Sequence, residues 1–475
     1  MANNILLGLV LALLVYAAAG EKNPTGSYTT SAEQCRLRRL RTVEPSRRLV
    51  SEGGVTELWD TNEDEFQCAG VAAIRNTVQP NSQSQPNYQP APMLVYIEQG
   101  EGLLGITIPG CAETYESESF EDLRSRRASR RGSLRGEQGE QQGEGRRTDQ
   151  HQRVHRIRRG DILAIPAGAT HWCYNDGNQE LVAFAVIDVN NQANQLDQQY
   201  RSFLLAGGEP NRQGQRQREQ QRDSQNFQNI FSGFNTELLA EAYNIPVEIV
   251  RRMQENDERG LLVKCQEEMR HIIRADEDEE DEEDEAQRQR RLNGLEETVC
   301  TTRLRHNMDT RSESDIVSRQ AGRVNIVNQD KLPILRFLDM SAEKGHLFPN
   351  ALYSPNWAMN NHRVVYVTRG DAHVQIADDN GNNVFNERVN RGDVLVIPQF
   401  FAAVTRAGSN GFEYVSIKTA GQPLRSTLAG YTSVIRAIPA DVLANSFQIS
   451  PDEAQQLKHN RGRQSLVLSS SRISP

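Results

Sequence analysis

The chain contains itself twice, and that repeat limits its architecture more than any other feature. "RRGDILAIP" (158–166) returns as "NRGDVLVIP" (390–398), and "LVYIEQG" (94–100) returns as "VVYVTRG" (364–370). Downstream, "RSFLLAG" (201–207) returns as "LRSTLAG" (424–430), and "LLAEAYNI" (238–245) returns as "VLANSFQI" (442–449). Four matches in one order describe two copies of a single unit, not scattered coincidences. The spacing between copies shrinks from 270 residues at the first match to 232 at the next in space, which places an insertion between Gly100 and Gly160. A second insertion lies between Gly207 and Leu238.

Each copy has the same coarse order. Short runs rich in Val, Ile and aromatics alternate with Gly, Asn and Asp turns, as in an all-β sandwich or barrel. The stretch "DDNGNN" (378–383) predicts a hairpin, because Asn-Gly tolerates the positive φ angles of a tight turn. Each copy then predicts a helical pair. In the first, Asn235 or Thr236 caps a helix through Tyr243, and Pro246 opens a second with Val247, Val250 and Met253 on one face. In the second, Pro439 opens one helix and Ser450-Pro451 starts the next, with Ser450 as cap. Such a pair packs on its barrel. Its recurrence in both copies makes packing between subunits a natural further use.

The inserted segments differ in kind. Residues 125–153 and 207–226 are Arg, Gln, Glu and Gly with almost nothing to bury, and 276–285 is ten consecutive acids. They are expected to be disordered surface loops, since they bury too little apolar area to offset chain entropy. The acidic run would be a solvated, self-repelling loop before it would be a calcium or basic-partner site.

The chain carries 54 Lys+Arg against 63 Asp+Glu, a formal charge of −9. That argues against general nucleic-acid binding, which needs a basic face. Only 6 of the basic residues are lysine, and the chain holds 37 Gln and 34 Asn. No folding rule asks for eight arginines per lysine; the excess is either codon usage or selection for nitrogen-rich side chains. Residues 1–20 read as a signal peptide, with an apolar run Ile5–Ala19 and small residues Ala18 and Gly20 before the expected cut, although Lys and Arg are missing from the n-region. No other stretch approaches a membrane span. Six cysteines (35, 68, 111, 173, 265 and 300) in an oxidising compartment predict disulfides, and fifteen complete pairings stay open on spacing alone.

The residues also carry a resemblance. "GDILAIPAGATHWCYN" fits the second motif of the cupins at Gly160, Pro166, Gly168, His171 and Asn175. Two copies resemble a bicupin: a mainly β fold of two double-stranded β-helix (jelly-roll) barrels, each with an appended helical pair. The acidic run followed by "RRLNGLEETVCT" (290–301) is similar to the legumin-type (11S) seed storage globulins, and the likeness spans Cys35 to about Gln464. It implies an organisation of signal peptide 1–20, first cupin unit 21–274, acidic linker 275–293 and second cupin unit 294–475. It implies cleavage between Asn293 and Gly294 by an asparagine-specific processing protease. Taken alone, Asn-Gly reads as an ordinary turn, although an exposed charged segment is where cleavage is tolerated. The cut would separate a chain of net charge −12 from one of +3. The resemblance further implies that Cys35 pairs with Cys68, and that Cys111 pairs with Cys300 across the cut. Cys173 and Cys265 are left over.

His171 raises the question of chemistry. Metal-binding cupins take His-x-His and Glu from the first motif and a histidine from the second. In the first copy the Glu position is Met93 and the His-x-His window, 86–89, reads Pro-Asn-Tyr-Gln. In the second copy the Glu position is Arg363, the window 356–359 reads Asn-Trp-Ala-Met, and the second-motif positions are Ala403 and Ala407. His362 lies one residue out of register and should face away. One ligand of four is too few for a catalytic metal, which needs about three. The expectation for His171 is a histidine packed on Trp172 at the barrel mouth. Neither a Gly-x-Ser-x-Gly elbow, a Walker loop nor His-Glu-x-x-His occurs.

The resemblance implies a seed storage protein, and the residues offer no catalytic site, metal or cofactor and no nucleic-acid or membrane partner. It would form a trimeric precursor, become a hexamer after cleavage and travel through the secretory pathway to the protein storage vacuole. The family also implies allergenicity. The alternatives are a metal-dependent cupin oxidase or isomerase, and a module binding sugar or another small molecule in the barrel mouth.

Overall fold

The computed structural model describes residues 35, 37–113, 115–117, 149–208, 228–255, 259–269, 272, 300 and 302–470. The expected signal peptide, most of the two Arg/Gln-rich insertions, the acidic linker and the Asn293-Gly294 pair lie outside them. Among the described residues no helix is long and apolar enough to cross a membrane.

The first barrel is built from two facing sheets. One runs in the spatial order Arg47–Ser51, Gly54–Trp59, Val71–Val78, Leu181–Asp188, Met93–Gln99, Asp161–Ile165, Arg305–Asn307. The other runs Val154–Arg158, Glu101–Thr107, Thr170–Asn175, Ser82–Ser84, Leu262–Lys264. The central strand Asp161–Ile165 is buried at every residue, which explains the apolar run Ile162-Leu163-Ala164-Ile165 that follows its aspartate. The last strand of the first sheet, Arg305–Asn307, comes from beyond Gly294 and pairs antiparallel with Asp161–Leu163. The sheet boundary therefore does not coincide with the proteolytic boundary expected at 293/294.

The second barrel is one ten-stranded sheet. Its two long strands, Arg363–Ala377 and Ala402–Lys418, pass through both faces and turn the corner at register shifts near Val367–Ala372. Gly370, the glycine that closes the repeated "VVYVTRG", has φ 72°, and a Cβ there would stand 2.1 Å from the carbonyl oxygen of Gly411. Gly100 closes "LVYIEQG" in the first copy at φ 82°, with Glu180 O 2.5 Å from the same hypothetical Cβ. Both copies use glycine where the chain bends and two backbones meet, which no β-carbon would permit. The hairpin at 378–382 forms as its Asn-Gly predicts, with Gly381 at φ 72° and the Asp378 amide donating to Asn382 O.

The helical pairs sit where capping chemistry places them. Asn235 accepts a hydrogen bond from the Leu238 amide and starts helix Thr236–Tyr243; Val247–Gln254 follows Pro246. In the second copy Ala440–Phe447 follows Pro439, and Ser450 with Glu453 forms a reciprocal capping box on Pro451–His459.

The barrels are joined by a shared core. One hydrophobic cluster runs from Leu58 and Phe184 in the first copy to Tyr366, Val396 and Ile417 in the second. Phe184 stacks on Tyr366 with ring centroids 4.3 Å apart. Around this seam each copy lends a tyrosine from the same repeat position. The Tyr366 hydroxyl donates to Glu98 and accepts from Arg75; the Tyr96 hydroxyl accepts from Lys344. At the outer end Leu40 and Val43, both early in the chain, hydrogen-bond Val384 and Val394 of the second barrel.

Candidate functional site

The barrel mouth of the first copy is assembled by the motif that raised the question of metal. After the buried strand ending at Ile165, Pro166 and Gly168 make a turn in which the Gly168 amide donates to Gln89 O. The strand Thr170–Asn175 follows. Asn175 is fully buried and its amide closes a loop: Nδ2 donates to Val78 O and Gln179 O, and Oδ1 accepts from the Gly177 amide. Asn175 and the two glycines thus hold backbone in place, with no role that needs an ion.

His171 is 8 % exposed, and its Nδ1–H donates to Ala169 O at 3.1 Å. Desolvation lowers its pKa to about 4 against the opposing pull of that carbonyl, so the imidazole is neutral at physiological pH. One expectation is corrected. Cys173 packs into the barrel interior while Trp172 joins an outer cluster with Leu103, Val154 and Tyr174. Strand alternation therefore puts His171 on the face of Cys173 and opposite Trp172, so the imidazole is not packed on the indole. Trp172 instead covers Gly105, where a Cβ would meet its ring at 2.3 Å.

Behind His171 lies a cavity of about 120 Å³, lined mainly by apolar side chains such as Met93, Val95, Ile97 and Leu104, with Asn87 and Gln89 at its polar edge. Met93 stands where a metal-binding cupin needs a carboxylate. Among the described residues no group of three or more His, Cys, Asp or Glu is placed to hold a metal ion. Burial also pushes the Cys173 thiol pKa up, which keeps it protonated and poorly nucleophilic. Cys173 and Cys265 are both unbridged. Cys35 is bonded to Cys68, and Cys111 to Cys300 across 189 residues of sequence.

The second barrel differs inside. Glu343 is 2 % exposed; it accepts hydrogen bonds from Tyr353 OH, Tyr414 OH and Lys418 Nζ, each at 2.7 Å, and is ion-paired with Arg425 Nη1 at 2.9 Å. Burial would raise its pKa, but Arg425 and Lys418 outweigh it and hold the carboxyl well below the usual range. Burial lowers Lys418 to about 8 against the pull of Glu343. Arg363 enters the same interior and donates from Nη1 to Asn356 Oδ1 at 2.8 Å. His362 faces elsewhere, as its register predicts, with Nδ1 accepting from the Gln399 amide.

Sequence reading missed this ionic network. Its signal was present in strand Ala402–Lys418, where Tyr414, Ser416 and Lys418 alternate on what the repeat makes an inward face. Nothing in one strand says that its lysine will meet a glutamate 75 residues earlier.

The cupin family model, described as "Cupin", matches residues 40–209 and 306–455. The chain is 53% identical over 471 residues to "11S globulin seed storage protein 2" of Sesamum indicum, covering 99% of this chain and 98% of that one. Among solved structures it is similar to procruciferin, an 11S globulin from Brassica napus, with TM-score 0.78, 36% identity and coverage of 93% and 99%. It is also similar to the coconut allergen cocosin, with TM-score 0.76, 37% identity and coverage of 92% and 100%.

Proposed function

Since the chain belongs to the legumin-type 11S globulins, bicupin proteins of seed storage, we propose that it is made as a trimeric precursor, cut between Asn293 and Gly294, and stored as a hexamer in the protein storage vacuole. The protein is a seed store of nitrogen and amino acids, not an enzyme, and its chains assemble with copies of themselves. The units are 21–274, the linker 275–293 and 294–475, and the cutting agent is an asparagine-specific protease of the secretory route.

The observation that carries assembly is the surface of the two helical pairs. Leu238 is 66% and Tyr243 50% exposed on the first; their repeat counterparts on the second, Val442 and Phe447, are 50% and 55% exposed. Large apolar side chains exposed at matching places on two like units are what a ring of copies would bury, each first pair against a second pair of the next protomer. The Cys111–Cys300 bond supports the processing reading, because it spans position 293/294 and would hold both segments together after a cut. Arg305–Asn307 supports it too, since that strand keeps the downstream segment paired into the first barrel. In this reading the cut frees the acidic linker, and two trimers then stack face to face. Cocosin is described as an allergen; by likeness the same property is proposed here.

The experiment is an Asn293→Asp precursor exposed to seed protease. It should stay uncut and elute as a trimer on a sizing column, while the wild-type chain is cut and elutes as a hexamer. A reducing gel should then resolve two wild-type bands, the smaller beginning at Gly294. Hexamers formed by the uncut variant would refute the role given to cleavage.

A further inference from the structure

The pairing registers of the two barrels superpose position by position, and the side chains differ in polarity at inward places, four of which form two cross-strand pairs. In the first barrel Met93 pairs with Ile187, and Ala185 pairs with Ile74. In the second barrel the same ladder positions are Arg363 with Lys418, and Ser416 with Glu343. One copy thus shows that this scaffold closes with apolar residues at all four places. Burying charges there is not a requirement of the fold, and apolar replacement of buried ion pairs is often neutral or stabilising.

The second set is also unbalanced. Arg363, Lys418 and Arg425 are opposed by the carboxylate of Glu343, whose oxygens already accept three hydrogen bonds and pair with Arg425. Tyr353 and Tyr414 stay neutral, because burial pushes both phenols up. Arg363 is 9% exposed, and its Nε and Nη2 have no hydrogen-bond partner among the described residues. Those two N–H groups form the side-on fork of a guanidinium, the edge that matches two oxygens of a carboxylate or planar oxyanion. Ser416 Oγ, 2% exposed and also without a partner, faces the same space. That space is a cavity of about 40 Å³, bordered by Arg363, Asn356, Ser416 and the two tyrosines.

We propose that the second barrel binds one small carboxylate or planar oxyanion, acetate-sized or smaller, on the Nε/Nη2 fork of Arg363. The anion offsets one of the two excess positive charges and satisfies donors that are otherwise buried unpaired. Arg363 occupies the position at which a metal-binding cupin carries its glutamate. The site has therefore kept its place in the barrel and reversed its charge preference. A volume of about 40 Å³ favours an acetate-sized ion over a sugar or an aromatic acid.

The test uses the full assembled protein. Crystals soaked in bromide, a monatomic anion that the cavity admits, should show one anomalous peak per chain within hydrogen-bond reach of Arg363 Nε. Acetate added to the soak should displace it. Arg363→Gln should abolish the peak. Arg363→Lys keeps the charge without the fork and guards against a Gln variant that does not fold. It should retain bromide while the concentration of acetate needed for displacement rises at least tenfold. Water density without an anomalous peak in wild-type crystals, or displacement by acetate unchanged in the Lys variant, would overturn the proposal.

Discussion

Replacing Glu343 by glutamine should unfold the second barrel at much lower urea than the wild type requires. The substitution keeps volume and shape, so it isolates charge. In the native barrel the carboxylate holds Lys418 and Arg425 on one oxygen and two phenols on the other. The amide turns an NH₂ toward at least one of those donors and leaves three cations with no carboxylate of the protein opposite them. Removing one partner of a buried ion pair costs about 3–5 kcal/mol, mostly from the stranded charges. At roughly 2–4 °C per kcal/mol for a domain of this size, the melting temperature falls by roughly 6–20 °C. Far-UV ellipticity against urea, at one fixed protein concentration because assembly is linked to stability, measures the change. The double variant Glu343→Met, Lys418→Met should lose less than Glu343→Gln alone, since it removes an anion and a cation together and restores the apolar pattern of the first barrel. A Glu343→Gln barrel within about 1 kcal/mol of wild type would refute the reading, because it would mean that water or neutral lysine already screens the network.

Two further outcomes follow from named residues. Asp188 is buried and its pKa is raised to about 7, first by desolvation and further by Asp339, against a hydrogen bond from Asn191. A carboxyl with a raised folded pKa contributes stability that is full below about pH 4 and is lost as pH rises through about 7. Asp188→Asn should therefore flatten the urea midpoint between pH 4 and 8, removing on the order of 2–4 kcal/mol of pH dependence; an unchanged profile would show that Asp188 is ionised throughout. Gly345→Ala places a Cβ 2.1 Å from the Tyr414 ring, whose hydroxyl holds Glu343. The ring must move and loosen that bond, so a loss of roughly 2–3 kcal/mol is expected in the same urea assay, and a loss below about 0.5 kcal/mol would mean that the ring is free to shift.

The sequence by itself determined the duplication, the barrel class and the ends of the helical pairs. Those are local or self-referring signals: repeated turn glycines at 100 and 370, the Asn-Gly hairpin at 380–381, and the Ser450–Glu453 capping box each act within a few residues. The poverty of metal donors was legible for the same reason, because motif spacing fixes which residues face the mouth, and Met93 and Arg363 stand at the carboxylate places. The orientation of His171 was misjudged because neighbours in sequence point to opposite faces of a strand. Tertiary structure alone decided that Arg305–Asn307 completes the first barrel, that Phe184 and Tyr366 join both copies, and that inward positions apolar in one barrel hold Arg363, Lys418, Glu343 and Ser416 in the other. The physical reason is range. Turns and caps are settled by backbone sterics between near neighbours, whereas a buried charge takes its meaning from partners brought in by strand pairing across tens to hundreds of residues.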